Sequence, residues 1–403
     1  MDTPVDTPPP ADHVVLLALD GFGAGYLPLL DRLPTPHLDA LVRRGSLTTG
    51  TGVMPSVTNP SWTSVATGAW PERHLNAAFW YDPTTRTAQG QHREIAVPTL
   101  AEAVREQGGT VLCVQWPVLQ GHGTAYGDPD GLYTRPGGDC ARRVDDALAV
   151  LRGEAVASAG RPVTLRRLPQ LLAVYCDTLD ALGHAGGDRH PGIPAALRDI
   201  DAQVGRLLAA LEEAGIAERT AFVLLGDHGM TTFDRGFGRA ARRAVSRAGY
   251  RLEIVRPGGS PRRRTDVVAV VGGVASLHLV GRAAGDRAAE RTIRAALEEL
   301  PPVRAVFDRE DQARMRMSPR YGELLVEPEP GWSFGSAPRR PAGRHGATTE
   351  LDVGFALAGA GIVPGRAPSD PRHVDVAPTV AALLGIDPPA GTQGRVLTEA
   401  LSP

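Results

Sequence analysis

The chain has no lysine: all 43 of its basic side chains are arginine, set against 45 Asp and Glu in 403 residues. Without a lysine amine there is no Schiff-base chemistry, no P-loop lysine on a phosphate and no lysine clamp for a carboxylate. The formal charge of −2 leaves no basic excess to recruit a nucleic-acid polymer, so none is expected as partner. Long apolar runs are also missing. Val14 to Leu19 is far short of the about 18 residues that a membrane crossing takes, as is every other run, and no membrane partner is expected. Cysteine is scarce: Cys113, Cys140 and Cys176 make an odd set, two of them in apolar runs. That pattern reads as buried free thiols in a reducing cytoplasm. Residues 1–12 are acidic and proline-rich where a secretory signal would be basic and then apolar, and are expected to form a disordered leader.

What is present is an alternation. Short apolar runs at Val14 to Leu19, Thr110 to Gln115, Leu171 to Cys176, Ala221 to Leu225 and Val353 to Leu357 have the length and composition of strands covered on both faces. Between them, Leu38 to Arg44, Thr99 to Gln107, Ile193 to Ala214 and Val376 to Leu384 carry apolar residues at helical spacing. The order predicts an α/β fold, a three-layer α/β/α sandwich on a mostly parallel sheet. Residues 85–98 and 119–167 read as loops and short helices laid over that core. A larger insertion, 232–340, holds strand-like runs at Asp266 to Val271, Ala275 to Val280 and Glu323 to Glu327 and a helix near Ala288 to Leu300. It is expected to be a smaller cap domain, with 13–231 and 341–403 forming the core.

In open α/β sheets ligands bind beyond the carboxyl ends of the strands. Asp20, the stretch Asp177 to His184, and Asp227 with His228 all follow a predicted strand, so three strand ends deliver carboxylates and imidazoles to one edge. In D-T-L-D-A-L-G-H, Asp180 and His184 stand one helical turn apart on one face, with Asp177 as the alternative carboxylate. Asp227 and His228 are adjacent in G-D-H-G-M and can reach one cation only if the chain turns, which Gly229 permits. Thr58 lies in M-P-S-V-T-N-P-S-W-T-S, a turn that becomes helical after Pro60. A helix start of that kind can hold a phosphoryl group or be capped by the threonine hydroxyl. Ser56, Ser61, Thr63 and Ser64 are competing hydroxyls.

The pieces L-A-L-D-G, T-N-P-S-W, D-A-L-G-H, G-D-H-G-M and R-H-G, in this order from about Val14 to Leu384, resemble the alkaline phosphatase superfamily. Within it they are similar to the nucleotide pyrophosphatase/phosphodiesterase branch and to phosphonoacetate hydrolases. The resemblance implies Thr58 as a metal-activated nucleophile, one cation site of Asp20, Thr58, Asp227 and His228, and a second of Asp180, His184 and His345. Mixed nitrogen and oxygen ligation without thiolate suits Zn2+ and permits Mn2+. The implied activity is hydrolysis of a small phosphodiester or phosphoanhydride through a phosphothreonine. Phosphonate C–P cleavage, phosphomonoester hydrolysis and a non-catalytic binding role are the alternatives. Two departures concern the substrate. Asn59 follows Thr58 where phosphodiesterase relatives have an aromatic residue, and P-E-R-H-L-N has Leu75 where they have glycine, leaving Asn76 as a shifted phosphoryl-binding amide. Trp62 and Tyr81, with Phe79 and Trp80, are either pocket or core. Arg344 or Arg262 to Arg264 would replace a carboxylate-binding lysine.

Overall fold

The computed structural model describes residues 10–402. Seven strands form the central sheet, in the spatial order Gly45–Thr51, Asp352–Gly359, Thr220–Gly226, His13–Leu19, Leu171–Cys176, Val111–Val114 and Gly131–Tyr133. Only Asp352–Gly359 runs against its neighbours; the pairs from Thr220–Gly226 outward to Gly131–Tyr133 are all parallel. His13–Leu19 lies near the middle, Leu16 in register with Val223 on one side and Ala173 on the other. Its alternate side chains enter different layers. Val15, Leu17 and Leu19 pack toward the helices Pro36–Arg43, Cys140–Leu151 and Ile193–Glu213. Val14, Leu16 and Ala18 pack toward Thr58–Thr67, Leu100–Glu106 and His373–Leu384. This double burial is why the run lacks polar alternation, and truncating fully buried Leu16 to alanine would cost about 3 kcal/mol.

The predicted three-layer sandwich is therefore present, with corrections in detail. Among the loops and short helices expected in residues 119–167, Cys140–Leu151 is a twelve-residue helix with an Asp139 cap that packs into the core instead of lying over it. Its apolar positions lie in D-C-A-R-R-V-D-D-A-L, where charge hid the stripe. Gly45–Thr51, polar and glycine-containing, forms an edge strand that the apolar pattern did not mark. Of the expected leader, residues 1–9 lie outside the described residues. Ala11 is buried and donates its N–H to Leu383 O, so order begins before residue 13.

The inserted segment forms a five-stranded sheet, in the order Leu252–Ile254, Val267–Gly272, Val274–Leu279, Leu324–Pro328 and Val303–Phe307. One face is covered by the helices Gly238–Arg247 and Arg287–Glu298. The other packs on the core through Val268, Val270, Val274 and Leu325 against Met54, Ala77, Trp80 and Tyr81. A small three-stranded sheet of Thr231–Gly236, Gly331–Ser333 and Ala342–Arg344 joins insertion to core.

The cysteine expectation is overturned in part. Cys140 and Cys176 are bridged, and only Cys113 is a free buried thiol. The pairing ties the first residue of a helix to the last residue of a strand 36 positions away, a proximity that linear spacing cannot show. It removes the observation on which the cytoplasmic expectation rested.

Candidate active site

Four loops converge at the carboxyl edge of the sheet. Asp20 leaves His13–Leu19 on a turn in which Gly21 has φ +75, and a Cβ there would stand 2.9 Å from the Asp180 backbone. Only glycine allows that approach. Asp180 N–H donates to Asp20 O at 3.1 Å and Gly21 N–H to Asp227 Oδ1 at 2.9 Å, so the three acid-bearing loops are laced through backbone groups. Asp180 and His184 lie on the helix Thr178–Gly186, with Nε2 of His184 3.4 Å from Asp180 Oδ1. The small sheet brings His345 in: Arg344 pairs with Thr231 across antiparallel strands, and the His345 ring stacks on His228 at 3.5 Å and 7°. The chain passes Asp227 and His228 without a positive φ at Gly229. Gly229 is instead where a Cβ on Gly23 would arrive, at 2.6 Å.

Two groups of donors result. In one, His228 Nε2 is 3.3 Å from Asp20 Oδ1, 3.3 Å from Asp227 Oδ2 and 3.3 Å from Thr58 Oγ1. In the other, Asp180, His184 and His345 lie within one ligand sphere, with the two imidazole Nε2 atoms 3.3 Å apart. Asp180 also falls within reach of Asp20 and His228, so it stands between the groups. Asp177 does not join them; its carboxylate is taken by Arg143 at 2.8 Å.

The electrostatics are those of a site short of positive charge. Among the described residues, Asp20 Oδ1, Asp180 Oδ1 and Asp227 Oδ2 are buried with no hydrogen-bond donor. Burial, then repulsion by Asp180 at Asp20 and by Asp20 at Asp227, holds both carboxyls well above the usual carboxylate range. Burial and then neighbouring Asp177 raise Asp180 to about 7. Burial pushes His345 down to about 3 and His228 well below its ordinary value, so both rings are neutral with nitrogens free to ligate. Unpaired buried carboxylates beside neutral imidazoles fit divalent cations held by oxygen and nitrogen.

Thr58 is the first residue of the helix Thr58–Thr67 and does not cap it; Val57 occupies the cap position. Three of the competing hydroxyls are otherwise engaged: Ser56 donates to Ala347 O, Thr63 receives Asn76 Nδ2, and Ser64 pairs with His74, while Ser61 is fully buried with no partner for its hydroxyl. The tentative substrate contacts fare less well. Trp62 is fully buried, edge-on to Trp116 and Tyr175, and is core. Tyr81 is buried between cap and core against His278. Asn76 is fully buried and bonded to Thr63, more than a turn past Thr58, while Leu75 takes the left-handed φ of 60 that a glycine would adopt freely. Arg344 turns away, its guanidinium held by the carbonyls of Trp332, Pro328 and Glu329. Asn59 does adjoin Thr58, but its amide donates to His92 O. Burial of aromatic and amide groups is a tertiary property, and local spacing does not reveal it.

Sequence reasoning missed Tyr175. It sits beside Ala18 in register on the neighbouring strand, and its hydroxyl donates to Asp20 Oδ2. Its place one residue before the strand end, on the strand adjoining that of Asp20, was the available signal.

The sandwich thus delivers acids and imidazoles from several loops to a hydroxyl at a helix start. The chain belongs to the type I phosphodiesterase/nucleotide pyrophosphatase family, whose sequence model matches residues 14–348. It is 27% identical over 228 residues to the bis(5'-adenosyl)-triphosphatase enpp4 of Xenopus laevis, covering 54% of this chain and 47% of that protein. It is 24% identical over 245 residues to human ectonucleotide pyrophosphatase/phosphodiesterase family member 7, covering 58% and 51%. The matched segment thus spans about half of these relatives. Murine ectonucleotide pyrophosphatase/phosphodiesterase 5 shares the fold at a TM-score of 0.71 and 18% identity, over 93% of this chain and 96% of that one. An inactive variant of the murine protein, solved in complex with AMP, matches at 0.72 and 18%, over 94% and 96%.

Proposed function

We propose that this protein hydrolyses a small phosphodiester or phosphoanhydride through a covalent intermediate on Thr58, with two divalent cations, best zinc, as cofactors. The observation that carries this is the position of Thr58 Oγ1, 3.3 Å from His228 Nε2 and beside carboxylate oxygens that have no donor. Asp20, Asp227, His228 and Thr58 would hold one cation and Asp180, His184 and His345 the other. Bound there, the cations would supply Lewis-acid stabilisation of negative charge on the phosphoryl oxygens and on the attacking and leaving oxygens.

The chain's own groups do the rest. The first amides of the Thr58–Thr67 helix have no intrahelical partner and, with the helix dipole, favour a phosphoryl anion beside Thr58. Thr58 Oγ forms a bond to phosphorus as the bond to the leaving oxygen breaks, and the threonine proton passes to solvent. Water then attacks the same phosphorus, the Thr58 Oγ–P bond breaks, and the hydroxyl is restored. A nucleotide-like substrate is consistent with the names of the enpp4 relative and of the AMP-bound murine structure. Arg344 is buried, with Nε and Nη2 on backbone carbonyls and Nη1 3.8 Å from the Glu350 carboxylate, which disfavours it as a clamp for a substrate carboxylate and so disfavours phosphonoacetate.

The test is kcat/KM for a p-nitrophenyl phosphodiester, the corresponding monoester and phosphonoacetate, measured side by side with zinc. The diester should win. A tenfold advantage for the monoester or for phosphonoacetate would move the assignment to that reaction.

A further inference from the structure

Charge is segregated in this chain. Residues 232–340 carry 21 arginines against 13 Asp and Glu, whereas the rest carries 22 against 32. The near-neutral total hides a cationic insertion on an acidic core.

Much of the excess lies on the helix Gly238–Arg247. Its apolar side, Ala241 and Val245, is buried in the core of the insertion. Its outer side presents Arg239, Arg242, Arg243 and Arg247, all exposed, and among the described residues none of the four has an ion-pair partner. The helix contains no Asp or Glu. Spacings of three and four place these arginines beside one another, where like charges destabilise a helix, and Arg239 stands at the positive end of the helix dipole. The sequence therefore maintains a locally unfavourable pattern. Arg291, on the adjacent helix Arg287–Glu298, lines with Arg247 a groove of about 620 Å3 whose other walls are largely alanine, with Glu299 its one acidic residue. Arg262 stands 3.7 Å from Glu253 on the edge strand Leu252–Ile254, and that one carboxylate lies in the field of both Arg262 and Arg242.

Both helices cover the face of the cap sheet opposite the one packed on the core. The arginines thus point away from Thr58 and are not part of its site. We propose that this face docks the protein on an anionic phospholipid surface. A layer of two adjacent helices suits a flat array of headgroups, whose phosphates match the planar guanidinium fork. A helix flanked by a neighbour at the same level enters a DNA major groove poorly, and the stripe has no aromatic side chain for stacking on single strands. The apolar side being buried, attachment is electrostatic and peripheral, in keeping with the absence of any described helix long and apolar enough to cross a membrane.

The experiment is co-sedimentation of the full chain with POPC vesicles, with and without POPG, comparing wild type with the Arg239→Gln/Arg242→Gln/Arg243→Gln/Arg247→Gln variant. Wild type should bind only the POPG vesicles and be released between about 0.05 and about 0.5 M salt. Each arginine removed should weaken partitioning about fivefold, so the variant should not sediment. Its phosphodiesterase rate should match wild type and its melting temperature should be no lower, since repulsion along the helix is relieved, and the single charge reversal Arg243→Glu is a milder check should the quadruple variant fold poorly. No binding to POPG vesicles, equal binding by the variant, equal binding to pure POPC, or tighter binding to a DNA duplex or to a second copy of the chain would each overturn the proposal.

Discussion

Tyr175 donates its hydroxyl to Asp20 Oδ2, leaving the other oxygen, Oδ1, without a donor and 3.3 Å from His228 Nε2. One carboxylate oxygen is anchored and the other is free to ligate. Arg143, buried beneath, bonds Tyr175 O at 3.0 Å and Asp177 at 2.8 Å, so the strand end is braced from behind. Tyr175→Phe keeps the ring packed on Trp62 and removes only the hydroxyl. Supporting groups of this kind typically contribute about 10–100-fold in metal affinity. A zinc titration of the variant should show that loss at one of two sites, with the melting temperature of the metal-free protein little changed. Unaltered affinity at both sites would show that Asp20 needs no anchor.

Metal binding should release protons below neutral pH. Asp180 is held at about 7, so at pH 6 it is mostly protonated in the metal-free protein and must ionise to ligate. Asp20 and Asp227, raised in the same direction, add to the effect. His228 and His345 are lowered and already neutral at that pH, so they release none. Affinity should therefore fall as pH drops through 7, about tenfold per unit for each proton displaced. Calorimetry in buffers of different ionisation enthalpy measures the proton count, and a count of zero at pH 6 would contradict the burial argument.

The Cys140–Cys176 bridge is expected to leave one reactive thiol per unfolded, unreduced chain, that of Cys113, and three after reduction. Closing a loop of this size is worth about 3–4 kcal/mol in the chain-entropy account. The Cys140→Ser/Cys176→Ser variant should be destabilised on that scale in a denaturant titration. Three reactive thiols before reduction would restore the reading of three free cysteines.

Much of the sandwich was legible because buried strands leave unbroken apolar runs: Leu171–Cys176 was bounded to the residue, and His13–Leu19 within one. The Cys140–Leu151 helix was not, since Arg142, Arg143, Asp145 and Asp146 interrupt its apolar stripe, nor was Gly45–Thr51, which is held by register with Asp352–Gly359 more than by its own propensity. At the site, the residues named for cation binding fall into two adjoining groups. Order along the chain picked them because each follows a strand or a turn at one edge. The substrate-facing assignments needed tertiary knowledge: nothing in T-N-P-S-W shows that Trp62 points into the core while Thr58 points out. For the same reason Tyr175 passed as one more apolar strand residue.

The central claim is that Thr58 is the atom that attacks phosphorus, and rapid acid quench during turnover of a bis(p-nitrophenyl) phosphodiester, followed by peptide mass mapping, tests it most directly. A phosphoryl adduct should appear within the first turnover on the peptide containing Thr58, and Thr58→Ala should lose it together with a rate factor on the order of 10^3 or more, while still binding zinc. An adduct on Ser56 or Ser61, or a Thr58→Ala variant that turns over at near wild-type rate, would contradict the account.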